Sequence, residues 1–164
     1  MSEQITFLNK KENQEILEKL KEQFGIQKIP GILTKRNEDR LFLVTGDITE
    51  NQIKELEKIT FIERVGFYFA KREHNKEGKE EIRLSIEGSQ ILSDQITKNI
   101  FELENSEQME QWMSGQELLI KTGKREFLVM KYKGNFLGTG KASENKISNF
   151  IPKNRRLKLR TTIK

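Results

Sequence analysis

The sequence predicts an α+β protein in two parts: a small N-terminal α/β domain over residues 1–78 and a strand-rich C-terminal domain over residues 79–164. Three observations lead there. Two stretches in the first half carry apolar residues at helical spacing, the runs after residue 60 change to period two, and the charge is segregated along the chain. Residues 121–164 hold thirteen Lys or Arg against two acids, Glu126 and Glu144, although the net charge is only +5, so the part before them is acidic. Apolar and charged residues each make up 34%, and ten Phe and a Trp supply enough bulk for a folded core.

In residues 11–24, Ile16, Leu17, Leu20 and Phe24 form one helical stripe, and Gly25 ends it. Pro30 and Gly31 mark a turn, after which residues 31–34 and 40–45 read as strands. Thr49 and Gln52 form a capping box with Ile48 and Ile53 as a hydrophobic staple, so a second helix starts there and should bury Ile53, Leu56 and Ile59. Val65, Phe67 and Phe69 alternate, as do Ile82, Leu84 and Ile86, which predicts two strands joined by a polar turn at residues 74–78. That turn contains the only histidine, His74, and is the expected domain boundary.

Residues 85–92 read as a strand running through Gly88 into a short helix, and residues 98–103 as a strand. A helix over 106–113 is capped by Asn105 and ended by Gly115, with Met109, Trp112 and Met113 on its core face. Residues 117–120, 126–132 and 135–140 supply strands, the last two joined tightly at Lys133 and Gly134.

The absence of cysteine excludes disulfides, thiolate metal sites and a cysteine nucleophile in this chain. The glycines around Lys141 do not form a phosphate loop, because Asn135 stands where the first glycine is needed and Ala142 where Ser or Thr would hold magnesium. Gly138 and Gly140 read instead as positions where another backbone, protein or RNA, comes too close for a side chain. No cofactor or metal is expected. The N-terminus lacks a basic leader and no long apolar run follows, so a cytoplasmic protein without a membrane association is expected.

The basic residues carry the functional expectation. Lys131, Lys133, Lys141 and Lys146 fall at strand ends and turns, followed by Lys153, Arg155, Arg156, Lys158 and Arg160. Leu157 and Leu159 alternate with the last three, the pattern of a strand with one face on a core and cations spaced roughly 7 Å apart on the other. Such an edge would meet RNA phosphates.

Leu137 to Lys141, followed by Lys146, Asn149, Pro152, Arg155 and Arg156, resemble the closing segment of a PUA domain. The resemblance is to the PUA-like domains of Nop/Sun/Fmu-type RNA cytosine methyltransferases and to free-standing archaeal ribosome-biogenesis proteins. Residues 86–92 resemble the glycine-containing start of the same domain, and residues 1–78 have the layout of the pre-PUA domain of Nip-type assembly proteins. The resemblance implies a C-terminal β pseudobarrel. It also implies RNA contacts at Gly88, Ser89, Gly138, Gly140, Lys141, Lys146, Lys153, Arg155 and Arg156. The cysteine and the large cofactor-binding domain of the methyltransferases are missing from this chain. The expected function is therefore non-catalytic binding of structured rRNA or tRNA during processing, modification or ribosome biogenesis. The alternative is an adaptor whose acidic N-terminal half docks an RNA methyltransferase or a ribosome-assembly factor.

Overall fold

A computed structural model of the chain describes residues 5–62 and 65–158. Strand β1 (Thr6–Phe7), helix α1 (Lys10–Phe24), strands β2 (Ile32–Arg36) and β3 (Arg40–Val44), helix α2 (Glu50–Ile59), and strands β4 (Phe67–His74) and β5 (Glu80–Leu84) come first. They are followed by helix α3 (Ile86–Ile91), strand β6 (Ile100–Glu102), helix α4 (Ser106–Met113), strands β7 (Phe127–Tyr132), β8 (Asn135–Ala142) and β9 (Ile147–Ser148), and a 3-10 turn, Lys153–Arg155. The first five strands form an antiparallel sheet in sequence order; β6 to β9 form a second, curled sheet in which β6 pairs parallel with β7. A bridge between Leu118 and Ile147 continues the curl, and it is all the pairing that the strand expected over 117–120 makes. The α+β class and the C-terminal pseudobarrel are both present.

Local chemistry sets the helix ends. Asn9 and Glu12 form a capping box at the start of α1, and Gly25 closes it with a φ of +79°, a conformation that glycine adopts without a steric penalty. The Thr49–Gln52 capping box starts α2 as the spacing predicts. Ile16, Leu20 and Phe24 of α1 are fully buried against the first sheet, whose β5 edge is satisfied by Gln23: its side chain accepts from the Ile82 amide (2.7 Å) and donates to the Ile82 carbonyl (3.0 Å). Only the first of the three expected core residues of α2 is buried. Ile53 is inside, whereas Leu56 is 45% and Ile59 82% exposed, because nothing in the described chain packs over that side of the helix.

The expected boundary after Gly78 falls in the turn of the β4–β5 hairpin, so the first sheet continues to Leu84. The hydrophobic core also crosses it, since Phe127, Val129 and Phe136 of the second sheet join the cluster built by α1 and the first sheet. Between the sheets lies α3. The Ser85 hydroxyl caps it by accepting from the Gly88 amide (3.0 Å) and itself donates to the Tyr68 carbonyl of β4 (2.6 Å). On its other side, Ser89 accepts from the Gly138 amide of β8 (3.1 Å) and Gln90 donates to the Phe136 carbonyl (3.2 Å).

Gly88 is a helical residue here rather than the exit of a strand. A Cβ at this position would lie 2.3 Å from the Phe69 carbonyl oxygen of β4, a backbone atom that cannot step aside. Gly88→Ala should therefore destabilise the fold by about 2 kcal/mol or more despite the better helix propensity of alanine. Thermal unfolding should show the melting temperature falling by roughly 4 to 8 °C; an unchanged or higher value would mean that α3 can move off β4.

Candidate nucleic-acid interface

Several of the residues expected to meet RNA are committed to the fold. Gly88 and Ser89 are buried, and the Ser89 hydroxyl donates to Ile86 and accepts from Gly138. Gly138 and Gly140 are also buried. Gly138 has a φ of +81° beside Ile86, and a Cβ on Gly140 would lie 2.7 Å from the Trp112 ring and 2.6 Å from Ile147. The close neighbour at all three glycines is thus protein, so packing accounts for the missing side chains at Gly88, Gly138 and Gly140, and Ser89 is spent on hydrogen bonds within the fold.

The cations fare differently one by one. Lys141 lies 2.9 Å from Glu81 and 4.4 Å above the Phe127 ring, and Lys146 lies 2.7 Å from Glu117. Lys131 is 3.9 Å from Glu102 and stacks over Phe136, while Lys133 occupies the β7–β8 turn beside Tyr132. The acids absent from the C-terminal sequence are supplied by earlier elements. Arg156 lies across Gly115 and donates to the Ile151 carbonyl (2.9 Å), and the Leu157 amide donates to the Met113 carbonyl (2.8 Å), which ties the C-terminal segment onto α4. The expected strand over 156–160 is not formed among the described residues: a 3-10 turn precedes Arg156, Leu157 is 48% exposed, and Leu159 and Arg160 lie outside the described residues. Lys153, Arg155 and Lys158 remain at the surface, with Arg155 paired to Glu87 of α3.

The structure instead gathers cations in a cleft of about 490 Å³ between the first sheet and the segment from Phe150 to Arg155. Arg40, Lys71 and Arg83 face the cleft from the sheet, Arg155 from the opposite side, and Phe67, Tyr68 and Phe150 line the space between them. Arg40 of β3 pairs with Lys71 of β4, and Lys71 pairs with Arg83 of β5, so the three form one cross-strand row. Neighbouring strands lie about 4.8 Å apart. Tyr68 joins this face through a β-bulge: Leu41 pairs with Ala70 and Phe42 with Tyr68, leaving Phe69 as the extra residue. Without the bulge, Tyr68 and Lys71, three apart, would point to opposite faces.

The aromatics and cations are interleaved. The Arg83 guanidinium lies 4.3 Å from the Phe150 ring centroid and that of Arg40 lies 5.9 Å from Tyr68. Burial pushes the Tyr68 phenol above its ordinary value, so at neutral pH its ring carries no charge to repel phosphate. Two carboxylates temper the site, Glu73 at 3.1 Å from Arg83 and 3.7 Å from Lys71, and Glu87 on Arg155. Four cations against two acids leave the cleft positive, and no carboxylate pairs with Arg40 among the described residues. Sequence reasoning placed only Arg155 of this set. The signal that it passed over was Arg40, Lys71 and Arg83 on strands of the acidic half, which only the strand register brings together.

Residues 98–157 match the family model described as the methyltransferase RsmF PUA domain. The match covers a little over a third of the chain, from β6 to the segment after the 3-10 turn, and leaves out α3 with Gly88 and Ser89. No curated protein matches the chain. The C-terminal sheet is therefore a PUA module, the class of domain that serves as an RNA-binding unit. The chain is a PUA-domain protein, related through that domain to the RNA methyltransferases of the Sun/Fmu type.

Like charges opposite one another on a sheet are unfavourable, so the cation row costs stability when nothing anionic occupies the cleft. Lys71→Thr should leave the fold intact and raise its stability by about 0.2 to 1 kcal/mol at low salt, measured by urea unfolding. A loss of stability would show that Lys71 matters more to Glu73 than the row costs.

Proposed function

We propose that this is a non-catalytic RNA-binding protein of the cytoplasm that holds structured rRNA or tRNA during processing or modification. The cross-strand row Arg40–Lys71–Arg83, facing Arg155 of the PUA module, carries this reading. The PUA module supplies one wall and the first sheet the other, so the chain grips RNA as a unit. Phosphates go to the guanidinium and ammonium groups, which set affinity and register, while the aromatic rings between them offer stacking faces. Lys153 and Lys158 extend the positive surface beyond the cleft.

The expected consequence is RNA binding that weakens steeply with salt. Arg40→Ala with Lys71→Ala should lower affinity and reduce the slope of log affinity against log salt by about 0.7 to 0.9 for each phosphate contact removed. Fluorescence anisotropy across a salt series measures both. A folded double variant with wild-type affinity and slope would remove the cleft from the RNA site.

The adaptor reading has its own support. Leu56 and Ile59, one helical turn apart near the end of α2, and Phe61 just beyond it are exposed apolar residues of the N-terminal half, and none of them lines the cleft. In this reading they dock an RNA methyltransferase or an assembly factor while the cleft holds the RNA. Replacing Ile59 and Phe61 by Glu should abolish that association, measured with nuclease-treated purified proteins, and leave RNA affinity unchanged. Retention of the association would place the docking surface elsewhere.

A further inference from the structure

The second sheet is left open at one edge. Leu118 exchanges both backbone hydrogen bonds with Ile147 of β9 (3.1 and 2.8 Å), and Leu118 and Ile120 belong to the core of that sheet. The residues that alternate with them, Glu117, Leu119 and Lys121, are exposed, and their backbone N–H and C=O groups have no hydrogen-bond partner among the described residues. Successive residues of an extended chain turn their backbone groups to opposite sides, so those of Leu119 face away from β9. The Ile120 amide bonds back to the Leu118 carbonyl (3.0 Å), which bends the chain at Leu119, the tip of the edge at 85% exposure. A groove of about 350 Å³ lies between this edge and Gln108 and Gln111 of α4.

An open edge accepts an extended chain that matches it, and this segment matches itself. Laid antiparallel about Leu119, Glu117 stands opposite Lys121 of a second copy, and Lys121 opposite Glu117 of that copy. Leu119 then meets Leu119, and the two exchange the amide and carbonyl that each leaves unpaired. Glu117 lies 2.7 Å from Lys146 of its own chain through one carboxylate oxygen, which leaves the other for the second copy. Such a pair is closed, because each edge occupies the other and offers nothing to a third chain.

We propose that this edge is a self-association surface, at which two copies of the chain pair antiparallel through residues 117–121 about a two-fold axis at Leu119. None of these residues lines the cationic cleft, so the dimer carries two clefts and the proposal does not depend on what they bind. The paired segment is short, so the contact is smaller than that of a permanent dimer and its dissociation constant falls at about 10 to 100 µM.

Sedimentation velocity of the full chain at about 5 to 500 µM tests it, and should show monomer giving way to dimer across that range. Lys121→Glu sets like charges opposite Glu117 of the second copy, and Glu117→Lys does the same to Lys121. Each single variant should associate about ten-fold more weakly than the wild type, with its melting temperature unchanged because both residues are exposed. An equimolar mixture of the two single variants restores a Lys opposite every Glu, and should associate as the wild type does. The double reversal Glu117→Lys with Lys121→Glu in one chain should do so as well. A wild-type chain that stays monomeric at the highest concentration overturns the inference. So does a dimer that is indifferent to the single reversals, or one that neither the mixture nor the double reversal recovers.

Discussion

The architecture depends on how α3 is held on both of its sides. Ser85 ties its start to the Tyr68 carbonyl of β4, Ser89 and Gln90 tie it to Gly138 and Phe136 of β8, and Gly88 lets it sit against the Phe69 carbonyl without a side chain between them. Buried hydrogen bonds of this kind are expensive to leave unmade, so they fix a distance and a register more sharply than hydrophobic contact does. The shared core supplies the driving force that brings the sheets together, with Phe127, Val129 and Phe136 packed into the cluster of α1. The helix decides how they meet. Because Tyr68 and Ser85 are bonded neighbours at this junction, the aromatic wall of the cleft is set by the same contacts that join the two halves.

Charge gains its meaning from the same geometry. Along the sequence the chain is divided into an acidic part and a basic part, but folding interleaves them. Glu81 meets Lys141, Glu87 meets Arg155, Glu102 meets Lys131 and Glu117 meets Lys146. Exposed pairs such as Lys146 with Glu117 are worth little to stability, but they neutralise cations that otherwise read as an RNA surface. What remains is positive where the fold concentrates it, along Arg40, Lys71 and Arg83, the last two sharing the single carboxylate of Glu73. A row of like charges across three strands is a local conflict in an otherwise consistent sheet, and such conflicts gather at functional sites.

The residues explain which features were legible. The capping box at Thr49, the turn at residues 74–78, the Lys133–Gly134 hairpin and the core role of Trp112 each follow from a few neighbouring residues, and each is present. The features that required distant information were misread. The alternation after Arg156 resembles a strand, but among the described residues Arg156 lies across Gly115 instead, and Leu159 and Arg160 lie outside them. Gly140 marks a close approach as expected, but a sequence cannot say whether the approaching group is Trp112 or RNA. The bulge at Phe69 shifts the alternation of β4 by one, which hides Tyr68 and Lys71 from any period-two reading.

The placement of the cleft has a thermodynamic consequence. Its walls come from the first sheet and the segment after β9, and the two halves share a core and are joined by α3, so under the proposed function RNA would find it formed rather than having to assemble it. Ordering costs are then spent before the encounter, and binding free energy is available for work on the RNA instead. The phosphate contacts alone would not discriminate, since every RNA offers them equally.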